Sequence, residues 1–105
     1  SGVTPTFGDA EISAESTSDG AVVSFDCACQ NVPIKYYIYE IENEIGQKTY
    51  VRFFGKNYIL GNDIIYTEQN KIRGLEKDKY FLHVYAVNSF NKVSDEYLTT
   101  EFTVK

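Results

Sequence analysis

Residues 80–87 read Tyr80-Phe81-Leu82-His83-Val84-Tyr85-Ala86-Val87, and this stretch decides the fold class. Aromatic and β-branched side chains suit a pleated, half-buried surface. No helical period with caps competes with that reading. The run predicts a strand, and its neighbours extend the pattern. Asn88 to Asp95 is a polar loop, after which Leu98, Thr100, Phe102 and Val104 fall in step at period two. Upstream, Ile72 leads into Gly74-Leu75. Farther back, Tyr36-Tyr37-Ile38-Tyr39-Glu40-Ile41 is a second strong strand. The turn Asn43 to Gly46 then joins it to Lys48–Phe54, where Val51 and Phe53 share a face.

The amino-terminal third alternates too. Ala10, Ile12 and Ala14 precede the turn Ser18-Asp19-Gly20, and Ala21, Val23, Phe25 and Cys27 follow it. Gly55 to Asn70 is the irregular part. It gathers Tyr58, Ile59, Leu60, Ile64, Ile65 and Tyr66 around Gly61-Asn62-Asp63. A short edge strand with a core-covering loop is expected there, with a helical turn as the alternative. About seven short strands separated by turn signals predict an all-β, two-sheet antiparallel sandwich.

Composition narrows the function classes. A chain of 105 residues holds one domain with its own core. At 43% apolar and 24% charged residues it is globular in composition. A net charge of -5 argues against nucleic acid as a partner. No apolar run is long enough for a membrane-spanning helix. The absence of Met marks the chain as a processed product or a piece of a larger protein, with residues 1–4 read as a scar or linker. Lys outnumbers Arg eight to two, a bias expected of AT-rich microbial coding.

Candidate chemistry is sparse. Cys27 and Cys29 stand one residue apart, too close for an unstrained bridge. With His83 as the only histidine, they cannot complete a tetrahedral metal site. They read as small apolar residues. Glu40 and Glu42 share a strand face at roughly 6.5–7 Å, the spacing of a hydrolytic carboxylate pair, yet such strand-mates are ordinarily solvated charge. Ser89 and Asp95 lie near His83 in sequence, with nothing to orient a nucleophile. No catalytic residue, cofactor or metal is expected.

Four segments together resemble a fibronectin type III domain. Ile34 to Ile41 resembles that family's third strand. Ile72-Arg73-Gly74-Leu75 followed by Tyr80 resembles its Gly-Leu pair and tyrosine corner. Val84 to Ser94 resembles the next strand and long hairpin loop, and Phe25 stands where the family usually has a core tryptophan. The resemblance covers residues 5–105 and implies sheets of three and four strands. It implies that Tyr37, Tyr39, Ile41, Tyr80, Leu82, Val84 and Ala86 face inward. Tyr36, Ile38, Glu40, Phe81, His83, Tyr85 and Val87 then face outward. It also implies a hydrogen bond from the Tyr80 hydroxyl to a carbonyl near Gly74 or Leu75. Departures from the family pattern are Glu76 in place of a proline, a Leu75-to-Tyr80 spacing one residue short, and a long 55–70 connection. There is no Arg-Gly-Asp tripeptide in the 88–95 loop and no glycosylation sequon.

With that parity, Tyr36, Ile38, Phe81, His83 and Tyr85 form an aromatic outer surface, extended by Tyr50, Arg52 and Phe54, with Phe90 as a further contact at the hairpin tip. A solvated sheet face is ordinarily polar. Three readings stay open: docking on a neighbouring domain or protein partner, cross-strand pairing that stabilises a wet sheet, and a platform for glycans. The resemblance implies a non-catalytic, extracellular or cell-surface module, monomeric when isolated. Such a module acts as a spacer or interaction domain in a larger chain. A carbohydrate- or protein-ligand-binding module is the alternative.

Overall fold

The computed structural model describes the backbone of residues 3–28, 33–53, 57–60 and 63–105, and the side chains of 3–25, 33–53 and 71–105. Every described element is a strand. These are β1 (Ile12–Ser16), β2 (Ala21–Ala28), β3 (Ile34–Glu42), β4 (Lys48–Phe53), β5 (Asn57–Leu60), β6 (Asp63–Ile72), β7 (Asp78–Asn88) and β8 (Leu98–Val104). They form two antiparallel sheets, ordered β1-β2-β6-β5 and β4-β3-β7-β8. No helix occurs among the described residues.

The sheets face each other in a sandwich. Ala21, Val23 and Phe25 from β2 meet Tyr37, Tyr39 and Ile41 from β3 and Leu82, Val84 and Ala86 from β7 in one buried cluster. Phe25 sets its ring edge-on to Tyr37 with centroids 5.0 Å apart, and Tyr39 lies 4.5 Å from Phe53. Each such buried aromatic contributes roughly 1.5–3 kcal/mol by area, and each ring pair adds about 0.5–1.5 kcal/mol.

Two expectations about strand count and the 55–70 region are refined. Among the described residues there are eight strands, because the four-residue β5 pairs antiparallel with β6 at the edge of its sheet. Without β5 the sheets have the expected three and four strands. The alternative of a helical turn is overturned over 57–60 and 63–72, since β6 pairs with β2 over 65–72 and with β5 over 63–66. Phe54 and Cys29 lie outside the described residues, as does the side chain of Cys27.

Local stitching holds the two ends. At one end, the Asp19 carboxylate accepts from Gly74 N–H at 2.9 Å and the Asp19 carbonyl accepts from Leu75 N–H at 2.8 Å. Gly20 passes so near β6 that a Cβ there would sit 1.9 Å from the Ile72 carbonyl oxygen, so only glycine fits. The Tyr80 hydroxyl donates to the Glu76 carbonyl at 2.7 Å. The expected corner bond therefore exists but lands one residue past Leu75, four residues before the tyrosine, where a single turn brings that carbonyl under the ring.

At the other end, the wholly buried Asn88 organises the loop after β7. Its side-chain oxygen accepts from the N–H groups of Phe90 and Lys92, both at 2.9 Å, and its amide donates to the Val3 carbonyl at 2.7 Å. Asn91 takes the left-handed conformation the loop needs, at φ 63°. Val3 thus sits beside Asn88, whereas Val104 pairs with Asp78 at the opposite end of β7.

Candidate outer-face site

Strand register builds the outer surface of the β4-β3-β7-β8 sheet row by row. Arg52, Ile38 and Tyr85 make one row, and Tyr50, Glu40, His83 and Thr99 the next. Lys48, Glu42, Phe81 and Glu101 make the third. The inward parity of Leu98, Phe102 and Val104 in β8 turns the residue before that strand, Tyr97, onto the same surface. Its ring lies 4.9 Å from His83 and 5.4 Å from Tyr85.

The structure therefore brings together five of the six sequence candidates. Tyr36, Ile38, Phe81, His83 and Tyr85 are all half-buried on this side of the sheet. Phe90 is exposed in the 88–94 loop. Val87 departs from the expectation of an outward-facing residue open to solvent. It is wholly buried, because the chain returning from the loop bridges Val93 to it.

Sequence reasoning missed Tyr97 as a member, and the parity of β8 was the signal that could have found it. Tyr97 is 49% exposed and Tyr50 is 60% exposed, so two open phenol rings stand on either side of the half-buried centre. Cations cover two of the rings between them: the Arg52 guanidinium lies 5.3 Å from the Tyr36 centroid, and Lys79 Nζ lies 5.6 Å from that of Phe81. Part of the aromatic excess is thus consumed in cross-strand contacts within the sheet.

Electrostatics at the centre come from one pair. Glu40 Oε1 lies 3.7 Å from His83 Nδ1, a nitrogen that is buried and has no hydrogen-bond partner among the described residues. Burial, with the Glu40 carboxylate next, raises the Tyr85 hydroxyl above the usual tyrosine range. The row Glu40–His83–Thr99 has the residue types of an acid–base–nucleophile relay. It lies on an open sheet surface, and among the described hydrogen bonds none joins Thr99 to the imidazole. Glu42 sits across from Lys48 and Phe81 rather than completing a carboxylate pair around a cleft. No group of three or more potential metal ligands occurs among the described residues. A concavity of ≈ 440 Å³ lies elsewhere, at the Asp78 end, lined by Ser16, Thr17, Ser18, Thr103 and Lys105.

This chain matches no known family, no curated protein and no solved structure. The outer face must therefore be read on its own geometry. Its resources are flat aromatic surface, one carboxylate–imidazole pair and mixed charge at the margins. No helix among the described residues is long and apolar enough to cross a membrane.

Proposed function

We propose that this is a non-catalytic, fibronectin type III-like module that acts as a spacer and docks on a neighbouring domain or protein partner through the outer face of β3 and β7. The single observation that carries the docking reading is the pair of open rings, Tyr50 and Tyr97, bracketing a half-buried aromatic centre on a sheet face that should otherwise be polar. Tyr is among the residues that anchor interfaces.

The spacer reading draws on the placement of Val3 and Val104. They flank opposite ends of β7, which spans roughly 33 Å at the usual rise per residue. A chain entering near one and leaving near the other would hold its neighbours apart at a fixed distance. The sheet orders and the Tyr80–Glu76 corner bond support the fibronectin type III-like reading, and with it an extracellular or cell-surface location.

A glycan platform is the second reading. The observation favouring it is that the Glu40–His83 pair lies between the two open tyrosines, polar groups beside stacking surfaces. An NMR titration of the chain with soluble oligosaccharides separates the two. Saturable shifts at Tyr36, Ile38, Phe81, His83 and Tyr85 would replace docking by glycan binding. The docking reading expects silence there, and loss of Tyr50 and Tyr97 solvent accessibility when the chain is produced as the full native gene product. Tyrosines that stay equally accessible in that product overturn it.

A further inference from the structure

The β3–β4 hairpin offers a second feature at the margin of the aromatic face: the outer edge of β4. This strand stands last in its sheet, so among the described residues no other strand pairs with that side. An unpaired edge is a template for another chain, and proteins ordinarily guard it with charge, proline or a bulge. The strand reads Lys48-Thr49-Tyr50-Val51-Arg52-Phe53, with no proline, glycine or acid. Its only guards are Lys48 and Arg52, both exposed.

Register places these two cations on the same face, opposite Glu42 and Ile38, with Tyr50 between them. Four residues separate them along the strand, roughly 13 Å. Within a chain of net charge -5, this strand is a strip of two cations and no acid; on β3, Glu42 faces Lys48, whereas Ile38 faces Arg52. The Arg52 guanidinium lies over the Tyr36 ring, 5.3 Å from its centroid, and a guanidinium is the side-chain group best shaped to take a carboxylate through two N–H groups. The strip is also held in place before any partner arrives. Asn43 N–H donates to the Gln47 carbonyl at 3.0 Å, Gly46 N–H donates to the Asn43 carbonyl at 3.1 Å, and the two side chains bond at 3.0 Å. Preorganisation of this kind lowers the ordering cost of adding a strand.

We propose that the outer edge of β4 captures an extended segment of a partner protein as an added antiparallel strand, with acidic side chains at the two positions that face Lys48 and Arg52. Main-chain hydrogen bonds hold the segment, and the acid–cation pairs fix its register. Charge complementarity selects this occupant over a second copy of the chain. Two β4 edges brought together would line one seam with two pairs of cations and no acid. The site shares Tyr50 and Arg52 with the aromatic face, but it is read out by an acidic peptide at the amides of 48–53, so its failure is distinguishable from failure of the docking reading above.

The test is an NMR titration of the isotope-labelled 105-residue chain with a synthetic peptide centred on Glu-Val-Thr-Val-Glu, whose acids are spaced like the two cations. Saturable amide shifts confined to residues 48–53 are expected. A peptide with Lys in place of both Glu residues is expected to bind at least about tenfold more weakly, because two opposed pairs become two like-charge pairs. The double variant Lys48→Glu, Arg52→Glu is expected to invert that preference. The peptide exchange on the unaltered chain reads the same specificity if the variant misfolds. No response, an equal response to both peptides, or shifts centred on Tyr85 and Tyr97 overturns the proposal. So do concentration-dependent shifts without peptide, which would assign the edge to self-association.

Discussion

Tyr37 and Tyr39 are wholly buried, whereas Tyr50 and Tyr97 stand about half open, and all four belong to one sheet or its margin. The first pair packs against Phe25 across the sandwich, and Tyr39 also packs against Phe53 on the neighbouring strand. In the second pair, Tyr97 touches only the half-covered His83 and Tyr85 among the described ring contacts. The residue type is the same, so intrinsic preference cannot separate them. What differs is parity: past the register shift after Ile34, odd positions of β3 point into the sandwich, as do even positions of β7 from Tyr80 to Ala86, and the alternate set points out. Inner rings stabilise the fold, and outer rings are available for recognition.

Breaking the inner side should have the largest effect. Tyr39→Ala is expected to cost about 3–5 kcal/mol, read as a fall in the urea midpoint. A loss below about 1 kcal/mol would mean that the parity is wrong and that the two pairs are alike. Gly20→Ala should come next, at about 2–3 kcal/mol, because the added carbon meets the Ile72 backbone rather than a movable side chain. Asn88→Ala should cost about 2 kcal/mol by leaving the Val3 carbonyl and two loop N–H groups without their partner. It should also speed amide exchange at Phe90 and Lys92, whereas exchange in β3 should be unaffected.

A pH series sharpens the contrast through Tyr80 and Tyr85. Burial raises both phenols above their ordinary range, with Asp78 and Glu76 adding to the effect at Tyr80 and Glu40 at Tyr85. A raised folded-state value means that the folded form holds its protons longer than the unfolded form. Their contribution is therefore fully present below about pH 10 and is lost as pH rises through the folded values. Tyr80→Phe should lower stability by about 1 kcal/mol at neutral pH through loss of the bond to Glu76, yet flatten the alkaline decline. An unchanged alkaline slope in both Tyr80→Phe and Tyr85→Phe would show that neither ring titrates with unfolding. The smallest effect belongs to the open pair: Tyr97→Ala should change stability by no more than about 0.5 kcal/mol while removing a docking contact.

Much of this arrangement was legible in the primary structure. Alternation in 21–25, 37–41, 80–86 and 98–104 predicted the strands, and the inward set follows the buried cluster except at Val87, where a returning loop covers an outward position. The aromatic outer candidates were likewise visible as the complementary set. Residues 57–60 and 63–72 were harder, because their apolar run lacks a clean period, and only the pairing of β6 with β2 and β5 defines strands there. The roles of Tyr97 and Asn88 were not visible, since each depends on contacts between distant segments. Asn88 bonds to Val3, and Tyr97 leans on the middle of β7.

The sequence by itself determined that the chain is all-β, which side chains alternate, and that aromatic residues exceed what one core needs. Those properties follow from local spacing and composition, which every window of the chain carries. Tertiary structure alone decided that Glu40 meets His83, that the Tyr80 hydroxyl lands on Glu76, and that β4 ends its sheet with two cations on a bare edge. These are consequences of register and strand order, and a shift of one residue between two strands would undo them while leaving the alternation within each strand unchanged.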